Sequence, residues 1–175
     1  MTPSVLLAAL LVTACAPGKA DRPAQESPGM ETLSSQEVPV TLDRERTTLE
    51  IEMQASPPNP RGGGQRLGLY LEGVEASRPG AYFEVYAGLP PGAEPKPEGP
   101  YYLGTLSVFG PSAEAKVGYD ITELARKLQA DGRWDGNLTL TFVRRGFEAP
   151  RGGPPPEGPP VKFSRVRIVR ESPPP

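Results

Sequence analysis

The chain has 175 residues, with 19 Lys and Arg against 21 Asp and Glu, a net charge of -2 and no histidine. That length admits one modest core with a tail. The near-neutral balance argues against a nucleic-acid partner, whose protein surfaces are strongly basic, and the missing imidazole removes the commonest general base and metal ligand.

At the N-terminus "SVLLAALLVTAC" is an apolar run ending in small residues and Cys15. It is too short to span a bilayer as a helix and fits the core of a signal peptide. Val12-Thr13-Ala14-Cys15 resembles the bacterial lipobox, in which the cysteine is acylated and becomes the mature N-terminus. The alternative is an ordinary secretory peptide in which Cys15 is incidental. A lone cysteine in an exported chain has no disulfide partner, which favours the lipid, and more than one acyl chain there would anchor the protein stably. Residues 1–14 are therefore expected as a lipoprotein signal peptide. The expected location is the bacterial cell envelope, with the outer membrane favoured because Ala16 is not the aspartate of an inner-membrane retention signal. Residues 15–40 follow as the lipidated cysteine and a flexible tether, since "APGKADRPAQESPGMETLSSQE" has no aromatic and no apolar period. An arm docked on the domain is the alternative.

Pro 24 and Gly 20, about a quarter of the chain, hint at low complexity. All the aromatics nevertheless fall between Tyr70 and Phe163, so the folded core must lie there. Residues 41–170 read as strands, with 171–175 as a proline-rich tail. "TTLEIEMQ" (47–54) alternates Leu49, Ile51 and Met53 with polar residues, the period of a half-buried strand. "RLGLYLEGV" repeats it with Leu67, Leu69 and Leu71. "AYFEVYA" (81–87) puts Phe83 and Val85 on one face, and Tyr82, Glu84 and Tyr86 on the other. "YYLGTLSVFG", "GNLTLTFVRRG" (Leu138, Leu140 and Phe142 inward) and "VKFSRVRIVR" (Val166 and Ile168 in phase) complete the series, the last with a bulge expected near Ser164 or Arg165. One segment has helical spacing: "DITELARKLQADG", with Ile121, Leu124, Ala125 and Leu128 on one stripe. Asp120 and Glu123 suggest a capping box there, and Gly132 a C-terminal stop. The fold class expected is all-β, an antiparallel sandwich or jelly roll with one short helix. Three Pro/Gly-dense loops interrupt the strands, at 56–65, 89–100 and 148–160.

The chemistry left to such a chain is narrow. Copper and zinc sites built on imidazole or thiolate are excluded once Cys15 carries lipid, and no Asp-x-Asp-x-Asp-Gly run offers calcium a loop. A pair of carboxylates would suffice for a glycosidase. The acids, however, sit at outward strand positions (Glu50, Glu52, Glu84) or in loops, where solvation explains them. No cofactor is expected, and the chain is read as no enzyme.

From about Leu67 to Ile168 the order of segments resembles the C-terminal domain of tyrosinases and polyphenol oxidases. That domain carries a Lys-Phe-Asp-Val signature, matched here by Tyr82, Phe83, Glu84 and Val85, with Tyr for Lys and Glu for Asp. "LYLEGVE" precedes it; "YYLGTLSVFG", "YDITELARKL", "LTLTFVRRG" and "SRVRI" follow in order. The resemblance implies a β-sandwich that covers the entrance of a dicopper oxidase and keeps it latent. In those proteins the catalytic domain with its copper-binding histidines lies upstream. None of those ligands has a counterpart here, so a shielding role requires an oxidase partner in the same envelope.

Two functions compete on this reading. One is a membrane-anchored, non-catalytic accessory domain that docks onto an envelope protein such as a tyrosinase-like oxidase. The other is an envelope-structural or glycan-binding module, with Tyr82, Tyr86, Tyr101 and Tyr102 as an exposed aromatic patch. The bland reading of those tyrosines is that they pack under a loop or the helix.

Overall fold

The computed structural model describes residues 29–53, 65–77, 80–108, 115–134, 136–145 and 159–172. Among them the order of elements is β1 (Met30–Leu42), β2 (Arg46–Glu52), β3 (Arg66–Ala76), β4 (Ala81–Ala87), β5 (Tyr102–Val108), β6 (Ala115–Asp120), α1 (Thr122–Ala130), β7 (Asn137–Arg144) and β8 (Val161–Glu171). The strands form two antiparallel sheets, in the orders β1-β8-β3-β6 and β2-β7-β4-β5. β1 pairs with β8, β2 with β7, β3 with β6 and β4 with β5, as in one long hairpin whose tip lies between β4 and β5. Rolling that hairpin brings β3 against β8 and β4 against β7. This is the jelly roll, and the all-β sandwich expected from the alternation is the fold observed.

The alternation works because each strand has one face toward the facing sheet. Leu138, Leu140 and Phe142 of β7 lie beside Ile51, Leu49 and Thr47 of β2. Across the sandwich Leu67, Leu69, Leu71, Val166 and Ile168 are fully or almost fully buried. Phe142 leans on Phe163 of the opposite sheet, with centroids 5.6 Å apart. In β8 the inward phase steps from Phe163 to Val166, at Ser164–Arg165 as expected, and β3 steps with it from Leu71 to Val74. Gly73 makes that step at φ 64°, tight against Ser164, where a Cβ would stand 2.3 Å from the hydroxyl oxygen. β1 shifts register on β8 at the same level, between Glu37 and Val40.

Two boundaries need correction. The tether expected over residues 15–40 ends by Met30, because Met30–Leu42 forms edge strand β1, paired with β8 along its length. Its backbone groups gain partners there, while few side chains reach the core: Leu33 and Leu42 are buried, and Pro39 lies within the register shift, where it interrupts no ladder bond. At the other end Glu171, expected in the tail, belongs to β8, and the Ser172 amide donates to Gly29 O at 2.7 Å. Cys15, the signal segment, the rest of the tether and residues 173–175 lie outside the described residues.

Helix α1 closes one end of the sandwich with Ile121, Leu124, Ala125 and Leu128 buried, as the stripe predicted. Its start is not a capping box. Asp120 Oδ1 accepts from the Thr122 amide at 2.9 Å, Thr122 Oγ1 accepts from the Leu67 amide, and Glu123 pairs with Arg126 instead of reaching back. Its end is a Schellman motif. The Gly132 and Arg133 amides donate to Gln129 O and Leu128 O, with Gly132 at φ 65°. Trp134 follows, partly buried against the core.

Candidate functional site

Strand β4 separates the signature-like residues by face. Phe83 and Val85 point into the core and are buried, whereas Tyr82, Glu84 and Tyr86 lie on the outer face of the second sheet. That outer face is not open above β4. Residues 88–101 fold back over it, and Tyr86, Leu89 and Val143 form a second small core against which Ala93, Tyr101 and Tyr102 pack. Of the two readings of Tyr86, Tyr101 and Tyr102, packing under a loop is the one observed, and the exposed patch is corrected for these three. Tyr86 is 0% exposed, Tyr101 and Tyr102 are half-buried, and the Tyr86 and Tyr102 rings meet at 5.5 Å. Tyr82, at 39%, is the exposed tyrosine of the strand.

The covering segment is held by directed bonds. The Ala87 amide donates to Tyr101 O at 2.9 Å and the Gly88 amide to Thr139 O at 2.8 Å; internal turns close from Ala93 to Pro90 and from Gly99 to Lys96. Arg133, just past α1, staples both ends of the segment. Its guanidinium donates to the Tyr101 hydroxyl and to Gly88 O, each at 2.8 Å, and sits over the Tyr101 ring. Prolines at 90, 91, 95, 97 and 100 restrict the unfolded segment and lower the entropy lost on ordering it.

Beneath this cover Glu84 is corrected from a solvated acid to a buried one, at 6% exposure. Tyr86 donates to its Oε2 at 2.6 Å and Arg145 pairs with the same oxygen at 2.8 Å. Burial pushes the Glu84 carboxyl up, but the bonds from Arg145 and Tyr86 outweigh it and hold the group below the usual carboxylate value. A general acid needs the opposite shift. Glu84 is thus a fastening between β4 and the start of the β7–β8 connection at Arg145.

Three phenols are held protonated by their surroundings. Burial, then the bond to Glu84, pushes Tyr86 up to about 12. The bond to Glu171 at 2.5 Å, then burial, pushes Tyr70 up to about 12. Burial alone dominates the upward shift of Tyr119. Phenols of the unfolded chain ionise near ~10, so each raised group contributes stability that is complete below pH ~10 and lost as pH rises through its folded value. Absorbance titration of the native chain is expected to show a late phenolate component near pH 12, missing in denaturant. A single titration shared by native and denatured chains would contradict the buried Tyr86–Glu84 pair.

Beside the covered half, the outer face of β2 and β7 remains a groove of about 660 Å³. Arg46, Thr48 and Glu50 of β2 and Thr139 and Thr141 of β7 form its floor; Gly88–Pro91 and Gly132–Arg133 form its wall. Of these residues the sequence marks Glu50 as an outward acid and Gly132 as a helix stop; the outward phase of β2 and β7 is visible there too, but not the wall that makes a groove of it. Among the described residues no group of three or more Asp, Glu or Cys gathers where an ion could be held, and no helix is long and apolar enough to cross a membrane.

The fold is similar to part of solved polyphenol oxidases. A latent apple tyrosinase matches with a TM-score of 0.58 at 16% identity, over 77% of this chain and 28% of that one. A recombinantly expressed latent aurone synthase, a polyphenol oxidase, matches with 0.55 at 15% identity over 79% and 27%, and the same enzyme from its natural source does so equally. This chain therefore spans little more than a quarter of those proteins, and at such identities the likeness is one of fold. No curated protein is similar in sequence. A family model does match, over residues 28–171, beginning two residues before β1 and ending with β8. The chain belongs to the family described as a domain of unknown function, DUF7868.

Proposed function

We propose that the chain is a non-catalytic accessory domain, tethered to a bacterial envelope membrane by lipid on Cys15, that docks onto and shields a polyphenol-oxidase-type partner. The observation that carries this reading is the restricted fold match: the likeness covers only about a quarter of two oxidases whose names call them latent. The reading takes that quarter to be their C-terminal domain, as the ordered motifs around Tyr82, Phe83, Glu84 and Val85 suggest. Two features of the chain support the lack of catalysis. There is no histidine to bind copper or move a proton, and the carboxylate buried among the described residues is locked to Arg145.

The test uses the full chain, tagged and solubilised from membranes in detergent. Metabolic labelling is expected to place palmitate on the mature protein, and Cys15→Ser to release it from the membrane fraction. Affinity isolation is expected to recover a dicopper phenol oxidase whose turnover rises when the complex is dissociated. Isolation that recovers no phenol-oxidising protein reproducibly would sink the shielding role.

A further inference from the structure

The outer face of the second sheet is divided into a covered and an uncovered half. Over β4 and β5 the 88–101 segment packs on Tyr86, while over β2 and β7 the groove remains. Its floor is polar and laid out by the ladder: Thr48 lies opposite Thr141, and Glu50 opposite Thr139. Ladder geometry spaces such groups about 5 Å across the strands and about 7 Å along them. Arg46 and Glu50 are exposed and have no ion-pair partner among the described residues. Pro90 and Pro91 offer the floor an apolar flank. The wall is set in advance, because Arg133 is already bonded to Gly88 O and to Tyr101. β2 is an edge strand, so the groove is open along one side.

We infer that this groove binds a hydroxyl-rich glycan chain, through Thr48, Glu50, Thr139 and Arg46. Sugar hydroxyls need donors and acceptors side by side. Threonine supplies both, carboxylate accepts, and guanidinium donates. The carbon face of a sugar ring can lie against Pro90 and Pro91. A polar floor gives no seat to the apolar anchors of a peptide. The volume falls within the range of small-ligand sites, and the open edge suits a polymer passing through. The tyrosine patch plays no part in this site, and the inference does not rest on the oxidase reading.

The experiment is co-sedimentation of the detergent-solubilised full chain with purified peptidoglycan sacculi and, in a separate arm, with an insoluble β-glucan. Binding to at least one is expected. Thr48→Val with Thr139→Val removes two hydroxyls while keeping strand-compatible shapes, and should weaken half-saturation roughly tenfold at an unchanged melting temperature. Glu50→Gln should weaken it similarly, and Tyr82→Ala should leave it unchanged. Sedimentation no greater than that of an unrelated soluble protein in both arms overturns the inference, as does equal binding by the double variant. Groove variants that lose an oxidase partner while the wild type ignores both glycans would also overturn it, and would leave the shielding role standing.

Discussion

Phe142→Ala is expected to destabilise the domain by about 3–5 kcal/mol, the range for emptying an aromatic site in a packed core. Phe142 is fully buried at the middle of β7, beside Thr47 of β2 and Val85 of β4. Its ring is tilted onto Phe163 of β8, so it joins the two sheets as well as filling the space between them. Neighbouring strands hydrogen-bonded on both sides cannot collapse into the void without breaking ladder pairs, so little relaxation is available. For a domain of this size the loss corresponds to a fall in melting temperature of roughly 10–20 °C. Phe142→Leu leaves a smaller void and should lose less than the alanine variant, and Tyr82→Ala on the exposed face should stay within about 0.5 kcal/mol. Urea unfolding of the three variants ranks them. A loss below about 1 kcal/mol for the alanine variant would mean that the sheets do not meet through this ring.

How much of this was legible depended on where each signal resides. Period-two alternation gave β2, β3, β4, β5, β7 and β8 to within a few residues, because in each the core face is written in Leu, Ile, Val and Phe. β1 escaped because its core face is sparse: METLSSQEVPVTL buries Leu33, Ser34 and Leu42, and its register shifts break the period. The strand exists because β8 supplies backbone partners, which no local pattern records. β6 escaped for a different reason. Ala115, Val117 and Tyr119 do alternate, but the run is short and its last residue, Asp120, also opens the helical segment that follows. At β4 the alternation identified correctly which residues share a face. It could not say that the 89–100 proline-rich stretch would return over that face, which turns Tyr86 from a surface residue into a core one and Glu84 into a buried ion. Face is a local property of the chain, whereas cover depends on tertiary bonds from Tyr101, Thr139 and Arg133.

Gly88→Ala tests that cover directly, with an expected loss of about 2–5 kcal/mol. Gly88 has φ 63°, in the left-handed region that an L side chain occupies at about 1–2 kcal/mol. A Cβ there would also stand 2.8 and 2.9 Å from the two methyls of Leu128, which is 2% exposed in the core and cannot swing away. Overpacking of that kind adds about 1–3 kcal/mol. Gly132→Ala separates the two contributions, because Gly132 has nearly the same φ, 65°, and nothing within 4 Å of its Cβ position. Its loss should be the smaller by about the overpacking cost. Removing the obstructing methyls should relieve Gly88→Ala, so the pair with Leu128→Ala should lose at least about 1 kcal/mol less than the sum of the single variants; strict additivity would show that the methyls are not the obstacle. The consequence reaches the outer face through bonds already described. Gly88 N holds Thr139 and Gly88 O holds Arg133, which in turn holds Tyr101. A shifted residue 88 therefore loosens the segment above Tyr86, admits water to its bond with Glu84, and should move the late phenolate titration of Tyr86 toward lower pH even in molecules that remain folded.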